Sequence, residues 1–292
     1  MIAGAQLPCD IAVVGLGIAG VHHLTKEVEE TIRRCTKTFV ADTGTGMLEY
    51  LGGLGTEVVD LTQPREVGEH RILIYRRIAA EVVAAAKAGG PVCFATYGHP
   101  TMYCYPTTLI QRAALVLNLS VTVLPGVSFL DTLLCDLGVD PGFDGLQMYE
   151  ASDLVVRRRP LQADVPCVIT QAPMTLDAYN RRGSRALDNL RLLQRHLLGT
   201  YPADHEVLLV TSKPHPLLEP LIQPVPLGSL AAALLPATQL GTLFIPALHR
   251  REIADRELAA RMQILDGPRT ARVTSGAPPS RPGRPPIGPQ PA

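Results

Sequence analysis

The chain lacks tryptophan altogether and has only four lysines and three asparagines among its 292 residues. It lacks any surplus of charge: Lys+Arg and Asp+Glu both count 27, so the formal net charge is +0. A protein held to nucleic acid through phosphates needs a basic excess, so no nucleic-acid partner is expected. Of the 27 cations 23 are Arg, and beside 26 Pro this is a compositional bias rather than a collective phosphate site. Cysteine occurs at 9, 35, 93, 104, 135 and 167, with no pair closer than eleven positions. That spacing offers no C-x-x-C and no metal site, and the thiols are read as buried and inert in a reducing compartment. Met1–Cys9 has neither a basic start nor a long apolar run, so no secretory leader is expected and the chain is read as cytoplasmic. The uncharged stretch Val225–Leu248 is cut by Pro226, Pro236 and Pro246, which argues for a helix and a strand in a core and against a membrane partner. What is there suffices for a packed core: 46% of residues are hydrophobic and 18% charged. The length suits one large domain or two small ones.

Short apolar runs alternate with helical segments over the first 124 residues. Ile11–Val14, Thr38–Ala41, Val58–Leu61, Val92–Thr96 and Val121–Leu124 read as buried strands. Leu24–Cys35, Thr45–Leu51, Glu69–Ala88 and Thr107–Leu117 read as helices between them. Such alternation makes an α/β fold with a mostly parallel sheet covered on both sides. Beyond Pro125-Gly126 the texture changes. Ser128–Leu137 reads as a helix and Gly138–Gly145 as a turn-rich connection. Strands are expected at Gln147–Glu150, Pro166–Thr170, Glu206–Thr211 and Gly241–Ile245, with helices at Ser184–Leu198 and Leu227–Leu235. The organisation is therefore an N-terminal α/β domain over 1–124, a C-terminal α/β domain over 125–248 and a helix within 249–266. Residues 267–292 hold eight prolines and no acidic residue, and they are expected to be disordered.

Gly15-Leu16-Gly17-Ile18-Ala19-Gly20 is a literal G-x-G-x-x-G after a strand, with Asp42 placed where a dinucleotide site has its ribose carboxylate. An NAD site would start its helix inside the glycines, with the N-terminus on phosphate. Here Val21-His22-His23-Leu24-Thr25 intervenes, and both histidines read as surface or domain-contact residues. Two other strings stand at strand ends, Tyr97-Gly98-His99-Pro100 and Leu124-Pro125-Gly126-Val127-Ser128, and a third, Tyr149-Glu150-Ala151-Ser152-Asp153, sits early in the second domain. The ends of parallel strands are where open α/β sheets bind ligands.

Taken with Gly15-x-Gly17 and Leu24-Thr25, these strings resemble the tetrapyrrole methylase superfamily, and in combination they look most like its borosin-type peptide N-methyltransferases. The resemblance covers roughly Asp10–Leu248. It implies two α/β domains with S-adenosylmethionine (SAM) as cofactor in the cleft between them, and no role for the glycines in dinucleotide binding. It implies a cofactor pocket of Tyr97, Gly98, His99, Pro100, Met102, Ser128, Phe129, Gln171, Thr211 and Thr242. It further implies catalytic roles for Arg71, Tyr75 and Tyr97. Arg71 and Tyr75 are four apart on one helical face. An amide nitrogen is a weak acid and a poor nucleophile. A fixed cation and tyrosine hydroxyls suit stabilising charge on its carbonyl and relaying its proton. The segment Leu61–Arg65 departs from the pattern, lacking tyrosines found there in the best-known members.

Some members are fused to their own substrate. Here each of the eight prolines after Asp266 is a tertiary amide with no proton to replace, so a separate precursor peptide supplied in trans is expected. The resemblance also implies a homodimer. Two alternatives stand beside this reading: a methyltransferase of the same fold acting on a small molecule or tetrapyrrole, and a non-catalytic peptide-binding protein.

Overall fold

The computed structural model describes residues 7–41, 44, 46–62, 68–179, 187–237 and 241–264. Two five-stranded sheets carry the chain. The first is built from β1 (Ile11–Gly15), α1 (Lys26–Ile32), β2 (Lys37–Ala41), α2 (Met47–Gly52), β3 (Glu57–Asp60), α3 (Arg71–Ala88), β4 (Val92–Thr96), α4 (Tyr105–Val116) and β5 (Val121–Leu124). Its strand order is β3-β2-β4-β1-β5, and every pairing is parallel. β1 and β4 are buried along their whole length, which explains their unbroken apolar sequences. Ile11 and Val13 face one core with α3 and α4, whereas Ala12 and Val14 face the other with α1 and α2. The expected parallel sheet covered on both sides is thus present.

The second sheet follows α5 (Phe129–Leu137) and the short α6 (Pro141–Asp144). It contains β6 (Gln147–Glu150), α7 (Ala151–Arg157), β7 (Cys167–Thr170), α8 (Leu187–Leu198), β8 (Glu206–Thr211), β9 (Leu221–Pro226), α9 (Leu230–Leu234) and β10 (Thr242–Ile245), and α10 (Arg256–Arg261) comes last. The order is β6-β7-β10-β8-β9. Only β6 and β7 run parallel; β10 is antiparallel to both β7 and β8. That arrangement gathers the end of β7, the end of β8 and the start of β10 at one rim.

Several sequence expectations change. β9 was not anticipated, because Pro224 and Pro226 argue against a strand; it is tolerated because β9 lies at a sheet edge, where missing N–H groups cost no ladder bond. α7 begins inside the Tyr149–Asp153 string, where the Glu150 carboxylate caps it by accepting from Asp153 N at 2.7 Å. α1 starts only at Lys26, capped by Thr25, and α4 starts two residues early on Tyr105-Pro106. The helix expected within 249–266 is described as α10, capped by Asp255, with 265–266 outside the described residues. Cys135 is exposed, since it falls on the outer side of α5; Cys9, Cys35, Cys93 and Cys167 are buried as expected. Burial pushes the Cys167 thiol up to about 12. Asp42, Gln63–Arg65 and 267–292 lie outside the described residues.

Tyr201 is 1% exposed and stacks on His205 at 5.2 Å, yet among the described residues its hydroxyl has no partner. An unsatisfied buried hydroxyl costs free energy that phenylalanine does not incur. Tyr201→Phe is therefore expected to stabilise the fold by up to about 1 kcal/mol, read as a higher midpoint in urea unfolding. A loss of 1 kcal/mol would show that the hydroxyl has a partner in solution.

Candidate active site

The glycine segment after β1 closes on its neighbours, not on an open phosphate cradle. Gly17 N donates to Gly98 O at 3.2 Å and Gly98 N donates to Gly17 O at 3.0 Å. A Cβ on Gly15 would stand 2.7 Å from Gly126 N and nearer still to Gly98 O, so the ends of β1, β4 and β5 meet backbone to backbone. His23 Nδ1 accepts from Ile18 N at 3.2 Å and Ala19 N at 3.1 Å. Two amides that a pyrophosphate would need are thereby engaged within the loop. His23 is thus a half-buried residue bonded within its own loop, neither the surface nor the domain-contact residue expected; burial, reinforced by His22, lowers its imidazole from the ordinary value. His22 meets the His215 ring edge-on at 5.0 Å, linking the two halves.

Two adjoining cavities open at the rim where both sheets present their strand ends. One, of about 330 Å³, is lined by Ile18, Phe94, Thr96 and Pro106 from the first half, and by Thr170 and Ser212 from the second. Of the expected cofactor residues, Tyr97, Met102, Phe129, Gln171 and Thr242 line it. The other, of about 420 Å³, is lined by Arg71 and Tyr75 together with His70, Thr101, Tyr105 and Ala178. Tyr75, Tyr103, Cys104 and Gln171 line both. No carboxylate lines either cavity among the described residues.

The N-terminus of α3 holds Arg71 in place. His70 caps the helix through Nδ1, which accepts from Ile72 N at 3.2 Å, and Arg71 N donates to Ala178 O at 2.9 Å. The His70 and Tyr179 rings meet at 5.2 Å. A helix of the first half is thus fastened to a segment of the second, and Tyr75 leans edge-on towards Tyr105 at 6.4 Å.

Gly98, His99, Pro100, Ser128 and Thr211 line neither cavity. Gly98 is in the close backbone contact, with φ of 68°, and Pro100 is buried beside it. His99 Nδ1 accepts from Thr101 N at 3.2 Å, within its own turn. Ser128 caps α5 reciprocally with Asp131: its Oγ donates to Oδ2 at 2.6 Å and accepts from Asp131 N at 3.3 Å. Thr211 pairs with Leu221 at the end of β8, and the next residue, Ser212, reaches the cavity instead. In the Tyr149–Asp153 string, Asp153 binds Arg157 at 2.6 Å and also Arg159, which together hold its carboxyl below the usual range. That string supports a helix start.

Sequence reasoning missed Tyr103, Cys104, Tyr105 and Ser212. A signal existed: three of the eight tyrosines fall within positions 97–105. Tyr103 and Gln171 are also non-glycine residues in left-handed backbone, with φ of 58° and 54°, a conformation no residue pattern announces.

Residues 10–212 match the family of Tetrapyrrole (Corrin/Porphyrin) Methylases. Curated relatives include the methyltransferase/ribosomally synthesized cyclic peptide gymnopeptides precursor of Gymnopus fusipes, 26% identical over 265 residues, covering 87% of this chain and 61% of the relative. The corresponding dendrothelin A precursor of Dendrothele bispora is 27% identical, covering 84% of this chain and 60% of the relative. The chain thus spans about three fifths of the length of these relatives. Among solved structures, the methyltransferase CobJ superposes with a TM-score of 0.60 at 15% identity, covering 83% of this chain and 96% of that one. Uroporphyrin-III-C-methyltransferase from Thermus thermophilus gives 0.57 at 18% identity, covering 81% and 91%. Those identities speak for the fold alone. With the matched segment running from the start of the first sheet to the end of β8, the chain belongs to the tetrapyrrole (corrin/porphyrin) methylases, a family of methyltransferases.

Proposed function

We propose that the chain transfers a methyl group from SAM to backbone amide nitrogens of a peptide supplied in trans. The observation that carries this is the pair of adjoining cavities sharing Tyr75, Tyr103, Cys104 and Gln171. The smaller suits the donor. Its volume lies in the range of small-molecule sites, and its apolar walls and threonine hydroxyls match a nucleoside. The aromatic rings of Tyr97 and Phe129 suit a sulfonium cation in a site to which no described residue brings a carboxylate. Bound SAM supplies a methyl group on a positively charged sulfur that leaves as a neutral thioether.

The larger cavity suits the acceptor. Arg71 offers fixed positive charge to an amide carbonyl as its nitrogen becomes nucleophilic, and Tyr75 reaches both compartments. The curated relatives are described as precursors of ribosomal cyclic peptides as well as methyltransferases, which supports a peptide acceptor. Eight of the 26 residues in 267–292 are prolines with no N–H to methylate, which makes that segment a poor acceptor. Incubating the protein and SAM with a pool of acetylated, amidated uncharged peptides tests the reading. Mass spectrometry is expected to show gains of one methylene on backbone nitrogens. Methylation of tetrapyrroles alone would favour the small-molecule alternative.

Donor binding is expected to raise the melting temperature, and NAD is expected to leave it unchanged. A ligand at a hundredfold excess over its Kd stabilises by about 2.7 kcal/mol. With no tryptophan, calorimetry or a dye is the readout. A shift with NAD and none with SAM or its demethylated product would overturn the cofactor assignment.

The same reading includes a homodimer, for which Leu258, Met262 and Ile264 at and after α10 offer exposed apolar surface. Light scattering at micromolar concentration is expected to return twice the chain mass; the single-chain mass counts against pairing.

A further inference from the structure

We propose that Tyr103 is a specificity-determining residue whose ring is the partition between the two cavities and restricts the group passed between them to a methyl. This rests on the donor and acceptor reading of those cavities. Four side chains line both compartments, and they are held differently. Tyr75 stands on helix α3. Cys104 is turned towards the first sheet, its sulfur accepting from Thr107 Oγ1 at 3.4 Å and lying 3.6 Å from Thr96 Oγ1. Gln171 belongs to the second half, directly after β7. Tyr103 alone has its backbone in the loop after β4 and its ring in contact with elements on the other side.

Its ring is tilted against Phe129 with centroids 6.0 Å apart, and Phe129 opens α5. Thr170, at the end of β7, lines the smaller cavity together with Tyr103. Burial, reinforced by the Glu150 charge, pushes the phenol up, so the hydroxyl remains protonated across the working range. The backbone takes φ of 58°, a left-handed shape that a bulky residue rarely adopts. Such conformations persist where the surroundings over-determine them. Here the ring contact with Phe129 carries the side chain towards the second half, at the place where the two cavities share a lining.

A ring in that position leaves room for a methyl on the donor sulfur and blocks a larger alkyl group. Binding of two donors to the full chain tests this by calorimetry: SAM, and its analogue with benzyl in place of the transferred methyl. The wild type and Tyr103→Phe, which keeps the ring, are expected to bind SAM and discriminate against the benzyl analogue alike. Tyr103→Gly suits φ of 58° and opens the partition. It is expected to shift the ratio of the two affinities at least about tenfold towards the benzyl analogue, relative to the wild type. Tyr103→Asn, also tolerant of left-handed backbone, serves if the glycine variant does not fold. A small variant that loses both donors in parallel would make Tyr103 a structural residue only and overturn the proposal, as would unchanged discrimination. A wild type that binds neither donor would overturn the donor-cavity reading itself, and the partition with it.

Discussion

Arg71→Lys and Tyr75→Phe are each expected to slow methyl transfer by about 10²–10³ at saturating SAM, with little change in SAM affinity. Both side chains line the larger cavity from one face of α3, and the helix start that carries Arg71 is fastened to Ala178 and Tyr179 of the second half. Lysine keeps the charge but loses the planar fork of donors that can follow charge onto a carbonyl oxygen. Phenylalanine keeps the ring that leans towards Tyr105 and removes one hydroxyl. Losing a single donor aimed at developing negative charge costs ~2.7–4 kcal/mol. A mere surface stack would cost under ~0.5 kcal/mol, less than about threefold in rate. Single-turnover transfer to a peptide methylated by the wild type separates the two. Near wild-type rates in both variants would remove Arg71 and Tyr75 from the chemistry and reopen the small-molecule alternative.

How much of this was legible in the sequence depends on whether the cause was local. The fully buried strands β1 and β4 announce themselves because burial on both faces demands unbroken apolar runs. The start of α1 at Lys26, two residues after the expected one, is set by Thr25, whose hydroxyl caps the helix by accepting from Val28 N. That Arg71 and Tyr75 share a cavity follows from helical spacing. β9 was hidden because the rule against proline in strands gives way at an edge, and edges belong to sheet order, not to local sequence. The same limit applies at the site. Met102 and Phe129 line the smaller cavity, yet Ser128 beside Phe129 turns its hydroxyl to its own helix. Tyr103 was missed because its place depends on a left-handed turn, on Phe129 against its ring and on Thr170 across the same cavity, which lie 26 and 67 positions away along the chain.

Gly15→Ala is expected to destabilise the fold by about 3 kcal/mol or more, whatever ligand is present. Gly15 does not have positive φ, so alanine meets no conformational objection there, and the test is one of space. Its Cβ would stand 2.7 Å from Gly126 N and 2.8 Å from Gly126 Cα, besides striking the Gly98 carbonyl. All three are backbone atoms at the joined ends of β1, β4 and β5, so no rotamer change relieves the clash; the strands must part. Gly126 meets the same restriction, with Gly98 O at 2.5 Å from its ideal Cβ. Ordinary overpacking costs ~1–3 kcal/mol, and a backbone-on-backbone collision belongs at or beyond the upper end. Gly20, in the same motif, has nothing within 4 Å of its ideal Cβ and φ of 58°. Alanine there is expected to cost only about 1–2 kcal/mol for its left-handed backbone. The ranking distinguishes glycines kept for strand packing from glycines kept for phosphate, which would lose ligand affinity before stability. At about 2–4 °C per kcal/mol, Gly15→Ala should melt roughly 6–12 °C below the wild type. A midpoint within about 2 °C of the wild type would mean that the strand ends have room to separate, and that the packing role of the motif is wrong.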